Sequence, residues 1–218
     1  VSKVEARVKS TISAFVDPSY SNIIKLEVTP YALISYLYAP GAYQDWNPST
    51  ANTLISATSN GIYEGYIDFL KANSKFKITL ARNWDESYGT DDDISIILNG
   101  GRDINAPNAG SQKIVVNTNT NKFTLTPYSW GVIGSAQPGG WDSDTDMLWD
   151  DTLKMFVVDN IVLTSGEIKF RLNNDWGTNY GGANGNAISG GDNIAITESG
   201  TYKIAFDLTN LKYILTKK

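Results

Sequence analysis

Two residue types are missing altogether: the 218-residue chain contains no cysteine and no histidine. Without cysteine there is no disulfide framework and no thiolate zinc site. Without histidine there is no Ser-His-Asp or Cys-His catalysis, no imidazole metal ligand and no side chain poised to switch charge near neutrality. Basic charge is sparse: 18 Lys and Arg stand against 23 Asp and Glu, for a net charge of -5. The only basic run is the terminal Lys217-Lys218, so a nucleic-acid surface, which needs clustered cations, is excluded. No apolar stretch approaches the roughly 20 residues that a bilayer-crossing helix requires. No signal peptide is visible, and the chain opens on Val1. It therefore reads as a fragment whose parent protein carries any membrane address elsewhere.

What is present is a globular composition, 41% hydrophobic and 19% charged, sufficient to bury a core. Its apolar pattern has a period of two. Phe76-Lys77-Ile78-Thr79-Leu80, Ile168-Lys169-Phe170-Arg171-Leu172 and Tyr202-Lys203-Ile204-Ala205-Phe206 each alternate. Such runs are half-buried strands with one face inward. Gly, Asn, Asp and Pro clusters separate them, and no long segment has a helical period. The predicted class is all-β, built as sandwiches.

The chain also repeats itself. Lys77, Trp84, Tyr88 and Gly89 map onto Lys169, Trp176, Tyr180 and Gly181 at one offset of 92 residues. Upstream, Trp46-Asn47 faces Trp141-Asp142 at an offset of 95; downstream, Lys113-Ile114 and Lys122-Phe123 match Lys203-Ile204 and Lys212-Tyr213 at 90. Small loop-length changes account for the drift. Two tandem sandwich modules are expected, over 32–128 and 129–218, each ending in a hairpin whose turn is rich in Asn and Thr. Thr126-Pro127-Tyr128 marks the seam, and Thr29-Pro30-Tyr31 marks the matching point before the first module. Residues 1–31 are then the closing strands of an upstream immunoglobulin-like domain, with Val4 to Ile12 and Ile23 to Val28 as a strand pair.

Of six tryptophans, four form repeated pairs on polar loops: Trp46 with Trp84, and Trp141 with Trp176. A flat indole can cover the C–H face of a sugar ring while nearby polar groups bond its hydroxyl rim. The competing role is a ring that pins its own loop to the sandwich. Strand parity places Lys77 in the first copy, and Lys169 with Arg171 and Asn173 in the second, on the outward face beside these loops. Thr79 stands where the second copy has Arg171, so the two sites are expected to differ in affinity. Tyr88 and Tyr180 are expected to pack beneath the tryptophans, and Trp130 and Trp149, which have no counterparts, to lie in the core or seam.

Two other chemistries are weakly supported. Asp142-Ser143-Asp144-Thr145-Asp146 resembles the start of a calcium loop, but Met147 and Leu153 occupy the positions where that loop needs Gly and Glu. Turn capping is the expected role, with no metal and no other cofactor. Glycoside hydrolysis needs two placed carboxylates; Asp85 and Glu86 become Gly177 and Thr178 in the second copy, which disfavours catalysis.

The stretch from Trp130-Gly131-Val132-Ile133-Gly134 through Pro138-Gly139-Gly140-Trp141-Asp142, with Lys169-Phe170-Arg171 and Trp176 to Gly182, resembles the carbohydrate-binding domains of SusE/SusF-type proteins. These are surface-exposed outer-membrane lipoproteins of Bacteroidetes. Asn83-Trp84-Asp85-Glu86-Ser87-Tyr88-Gly89 also resembles a module of some pullulanases, and residues 1–31 resemble the end of the N-terminal domain of SusE-type proteins. The resemblance implies non-catalytic, cell-surface binding of a starch-type α-glucan, through Trp46, Lys77 and Trp84 and through Trp141, Lys169, Arg171 and Trp176. It further implies an outer-membrane glycan transporter as a neighbour, and a lipid anchor on a cysteine that this chain does not contain. The alternatives are a different polysaccharide, or a structural spacer that docks on such a transporter and binds no sugar. A spacer predicts that both tryptophan pairs are buried.

Overall fold

The computed structural model describes residues 2–28 and 33–218; the Thr29-Pro30-Tyr31 signal, and with it the boundary expected at 31–32, lies outside the described residues. The fold is nearly all-β, as the alternation predicts. At the N-terminus, Ser2–Ala6 pairs antiparallel with Ile24–Val28, and Lys9–Ser10 pairs with Ser19–Tyr20. The single strand expected from Val4 to Ile12 is thus broken at Arg7-Val8. This pair leaves Val4, Ile24, Leu26 and Val28 exposed.

Residues 35–127 form one eight-stranded sheet, in the order Ile97–Leu98, Ser87–Gly89, Ile78–Thr79, Ser35–Tyr38, Thr53–Ser56, Ile62–Phe69, Gly110–Asn117, Lys122–Pro127. The segment leading into the first of these strands meets the last. Ser95 bridges Lys122, and Phe123 N–H donates to Ile94 O at 2.9 Å. The sheet therefore wraps around its own core of Leu54, Ile67, Phe69, Phe76, Ile78, Ile104, Ile114 and Val116, all with 1% exposure or less.

Residues 130–217 repeat the plan. The order is Thr145–Asp146, Trp130–Ile133, Gly166–Leu172, Asp175–Ala183, Asn186–Ser189, Lys212–Lys217, Gly200–Asp207, Met155–Leu163, Leu148–Asp150. Its first and last strands are separated in sequence only by buried Met147, so this sheet also closes on itself. Phe170 stacks on Phe206 with ring centroids 4.7 Å apart in a core that includes Trp130, Ile168 and Ile204. Offset stacking of this kind is worth about 0.5–1.5 kcal/mol beyond the buried area. We call the two sheet-and-core bodies the first and second unit.

Both closing hairpins use the same turn chemistry. Asn117 Oδ1 accepts from the N–H groups of Asn119 and Thr120, and Asp207 Oδ1 from those of Thr209 and Asn210. The side-chain oxygen satisfies turn donors that the ladder leaves free.

The units meet directly. The Tyr66 ring lies 5.0 Å from Tyr128, 4.6 Å from Trp149 and 5.2 Å from Phe156. Trp149 is thus a seam residue and Trp130 a core residue, as expected. Asp151 Oδ1 accepts from Thr53 N–H at 3.2 Å and Lys154 Nζ at 2.7 Å. Asn173, expected on the outward face with Arg171, is instead turned to the seam. A register shift follows Arg171, and the Asn173 side chain donates to Pro127 O and accepts from Ser129 N–H.

One seam contact titrates. Asp68 accepts from Trp149 N–H at 2.9 Å and from the Ser111 hydroxyl. Burial raises its pKa above the ordinary carboxyl range, and the bonds from Ser111 and Trp149 offset only part of that rise. With the folded pKa above the unfolded one, the stability linked to this group is full below the unfolded pKa, near 4, and is lost as pH rises through the folded value. D68N keeps an acceptor without a titrating proton. It should therefore flatten this part of the pH dependence, read as the change in urea midpoint between acid and neutral pH. An unchanged slope would show that Asp68 does not contribute to it.

Candidate glycan-binding site

Each unit presents its tryptophan pair by the same local devices. The residue before the first tryptophan is left-handed in both, Asp45 at φ 59° and Gly140 at φ 60°. The two loops share this residue but differ at the next, where Trp46 is itself left-handed at φ 57° and Trp141 is not. A glutamine amide braces each loop. Gln44 exchanges two 2.7 Å bonds with the Asn47 backbone, and buried Gln137 donates to Gly140 O and Ser143 O at 2.7 Å. The second tryptophan sits inside an Asx turn in both copies. Asn83 Oδ1 accepts from Asp85 N–H, and Asp175 Oδ1 accepts from Gly177 N–H. Such a turn reverses the chain over three residues and throws the middle side chain outward.

The result is two matching indole pairs. Trp46 and Trp84 have ring centroids 6.3 Å apart at 39°; Trp141 and Trp176 are 6.0 Å apart at 36°. Trp84 and Trp176 are each 45% exposed and Trp141 39%, with Trp46 half-buried. Rings that only pinned their loops would be covered.

The polar neighbours are less alike. Lys77 Nζ is held by Gly101 O at 3.4 Å and Asp103 at 3.8 Å. Lys169 is half-buried on the equivalent strand position, and among the described residues its ammonium has no hydrogen-bond or ion-pair partner. Arg171 departs from the expected solvent-facing donor. It is only 6% exposed, its Nε bonds Asp144 Oδ1 and Oδ2 at 2.7 and 2.9 Å, and its guanidinium carbon lies 4.9 Å from the Trp176 ring. Asp144 is thereby drawn away from the calcium-loop role: its side chain is 1% exposed and faces Arg171. Among the described residues no three carboxylates converge as a metal site. Tyr180 points into the core against Trp130 and Phe206, and Tyr88 packs on the first core. Neither lies beneath its neighbouring tryptophan as expected; Arg171 takes that place in the second unit.

Three buried side-chain atoms among the described residues have no hydrogen-bond partner: Thr79 Oγ1, Trp130 Nε1 and Asn179 Oδ1. The first and last belong to the equivalent cross-strand pairs Thr79–Ser87 and Arg171–Asn179. Buried polar atoms of that kind are uncommon in folded proteins and invite an explanation. Sequence reasoning met Thr79 only as the counterpart of Arg171 and passed over Asn179, since neither residue type is diagnostic at a strand position.

Each unit thus presents a tilted indole pair, largely exposed, at the end of an all-β scaffold. Residues 34–123 match the family model described as the Pullulanase X25 domain. The match covers the first unit. Among solved structures, the chain is similar to the crystal structure of SusF from Bacteroides thetaiotaomicron, with 17% sequence identity and a TM-score of 0.37. That alignment covers 99% of this chain and 58% of the SusF chain, so this chain spans under two thirds of the length of the protein it matches. No curated protein matches the chain.

Proposed function

We propose that residues 32–128 and 129–218 are two tandem glycan-binding modules that hold a starch-type α-glucan without cleaving it. The observation that carries this reading is the pair of exposed indoles in each unit, tilted by 39° and 36°. Two tilted faces trace a curved apolar strip. An α-1,4-glucan coils and can lay successive rings along such a strip, whereas a β-1,4-glucan is a flat ribbon that suits coplanar rings. Trp46, Trp84 and Lys77 serve the first site; Trp141, Trp176 and Lys169 serve the second. Arg171, buried and paired with Asp144, fixes the slope of Trp176 from below.

The family match over 34–123 supports the ligand class for the first module. The exposure of three of the four rings stands against the spacer reading. No helix among the described residues is long and apolar enough to cross a membrane. A place on the outer cell surface, beside a glycan transporter and held by a lipid anchor elsewhere in the parent protein, rests on the resemblance of the sequence to SusE/SusF-type proteins.

A single site of this make-up should bind with a Kd of about 0.01–1 mM. Affinity electrophoresis tests the reading: migration is expected to be retarded in gels containing amylopectin and unchanged in gels containing a soluble β-glucan. Unretarded migration in amylopectin would remove starch as the ligand.

A further inference from the structure

We propose that Arg82 is the clip of the first site, doing from a loop what Arg171 does from a strand in the second. The inference rests on the proposed function for its ligand but not for its geometry. In the second unit the chain makes a slot for Arg171. Gly131 is its neighbour on the adjoining strand, and a Cβ there would lie 2.6 Å from the Cβ of Asp144. Asp144 fills the space, and the Arg171–Asp144 pair ties the loop that follows Trp141 to the strand beneath Trp176.

In the first unit every part of that arrangement is different, yet the tie is present. Thr79 replaces the arginine. The strand neighbour is Tyr38 rather than glycine, so the slot is filled by a ring. Arg82, two residues before Trp84, lies over that ring with its guanidinium carbon 4.6 Å from the centroid. Its Nη1 donates to Ser49 O at 2.7 Å and Ala51 O at 3.1 Å. Ser49 and Asp144 are related by the same offset of 95 that relates Trp46 to Trp141. Both guanidinium groups are therefore fastened to the same point of the loop that carries the first tryptophan.

The consequence is functional. The Trp84 turn and the Trp46 loop are joined by Arg82, so the tilt of that indole pair is set before ligand arrives. Nε and Nη2 of Arg82 have no protein acceptor among the described residues, and the residue is exposed. These donors sit beside the platform, free for hydroxyls. Thr79 alone would suggest a first site without a guanidinium; the structure assigns it one.

The test uses the full chain carrying W141A and W176A, which leaves only the first indole pair. Two tilted indoles at 6.3 Å couple their excited states and give a far-ultraviolet circular dichroism couplet, isolated as the difference from the same chain with W84F. R82A should diminish that couplet by more than half and weaken retention in amylopectin about fivefold or more, with little change in Tm. R82K should rescue little, because an ammonium cannot lie flat on Tyr38 while bonding two carbonyls. If R82A loses cooperative melting, R82K carries the test, since its stem still covers the ring. A couplet unchanged in the folded variant overturns the proposal. If the background chain is not retained by amylopectin but R82A still abolishes the couplet, the clip stands and the starch reading falls.

Discussion

Replacing Asp144 by alanine should destabilise the second unit by about 3–5 kcal/mol, the usual cost of leaving one member of a buried ion pair without its counter-charge. Both partners are deeply enclosed, Arg171 at 8% and Asp144 at 1% side-chain exposure. The guanidinium cannot swing into water without displacing Trp176, which lies across it. Removal of both charges is a different matter. D144S together with R171T restores the pair of residues that the first unit carries at these positions, Ser49 and Thr79, and should recover most of the loss, because no unpaired charge is then buried. Urea titration followed by tryptophan emission separates the two outcomes. A D144A variant within about 1 kcal/mol of the parent would mean that this pair is hydrated like an ordinary surface contact.

The second large effect concerns ligand. Truncating Trp84 and Trp176 together should abolish retention in amylopectin, since each removes one stacked ring worth about 1–3 kcal/mol by analogy with base–aromatic stacking. W176A alone is the more informative variant. It should reduce affinity for a short malto-oligosaccharide only by the share of one site. It should reduce apparent affinity for the polymer by about a hundredfold or more, because the bivalent gain is lost with the second contact. Isothermal titration with the oligosaccharide and gel retardation with the polymer give the two numbers. Equal losses on both ligands would show that the sites act separately. A fall in Tm with unchanged retention would make Trp176 a loop pin and not a platform.

Much of the scaffold was legible because strand parity is a strong constraint. Once Phe76, Ile78, Ile168 and Phe170 are inward, Lys77 and Lys169 have only one face left. The repeat was legible for a similar reason: a shared plan keeps its large aromatics. What parity could not reach were contacts that depend on loops. Arg171 read as a solvated strand residue because nothing in its neighbourhood announces that Asp144, 27 positions earlier, folds over Gly131. Arg82 read as nothing at all, since its acceptors are main-chain carbonyls more than 30 positions away. Main-chain acceptors have no residue type and leave no trace in a motif. Asn173 was misplaced because it falls just past the strand end at Leu172, in a left-handed turn with φ 54° where strand parity no longer holds.

The strand ending at Pro127 is followed by one beginning at Trp130, and the side chains on either side of that junction interlock through Tyr66, Trp149, Asp68 and Asp151. Nothing there can act as a tether of adjustable length. On the proposed function, the two indole pairs are the fixed jaws of a gauge: a saccharide too short to span them gains nothing from the second, and one that just spans them gains nearly all of it. Affinity plotted against the degree of polymerisation should rise as a step, and the position of that step measures the gap between the jaws.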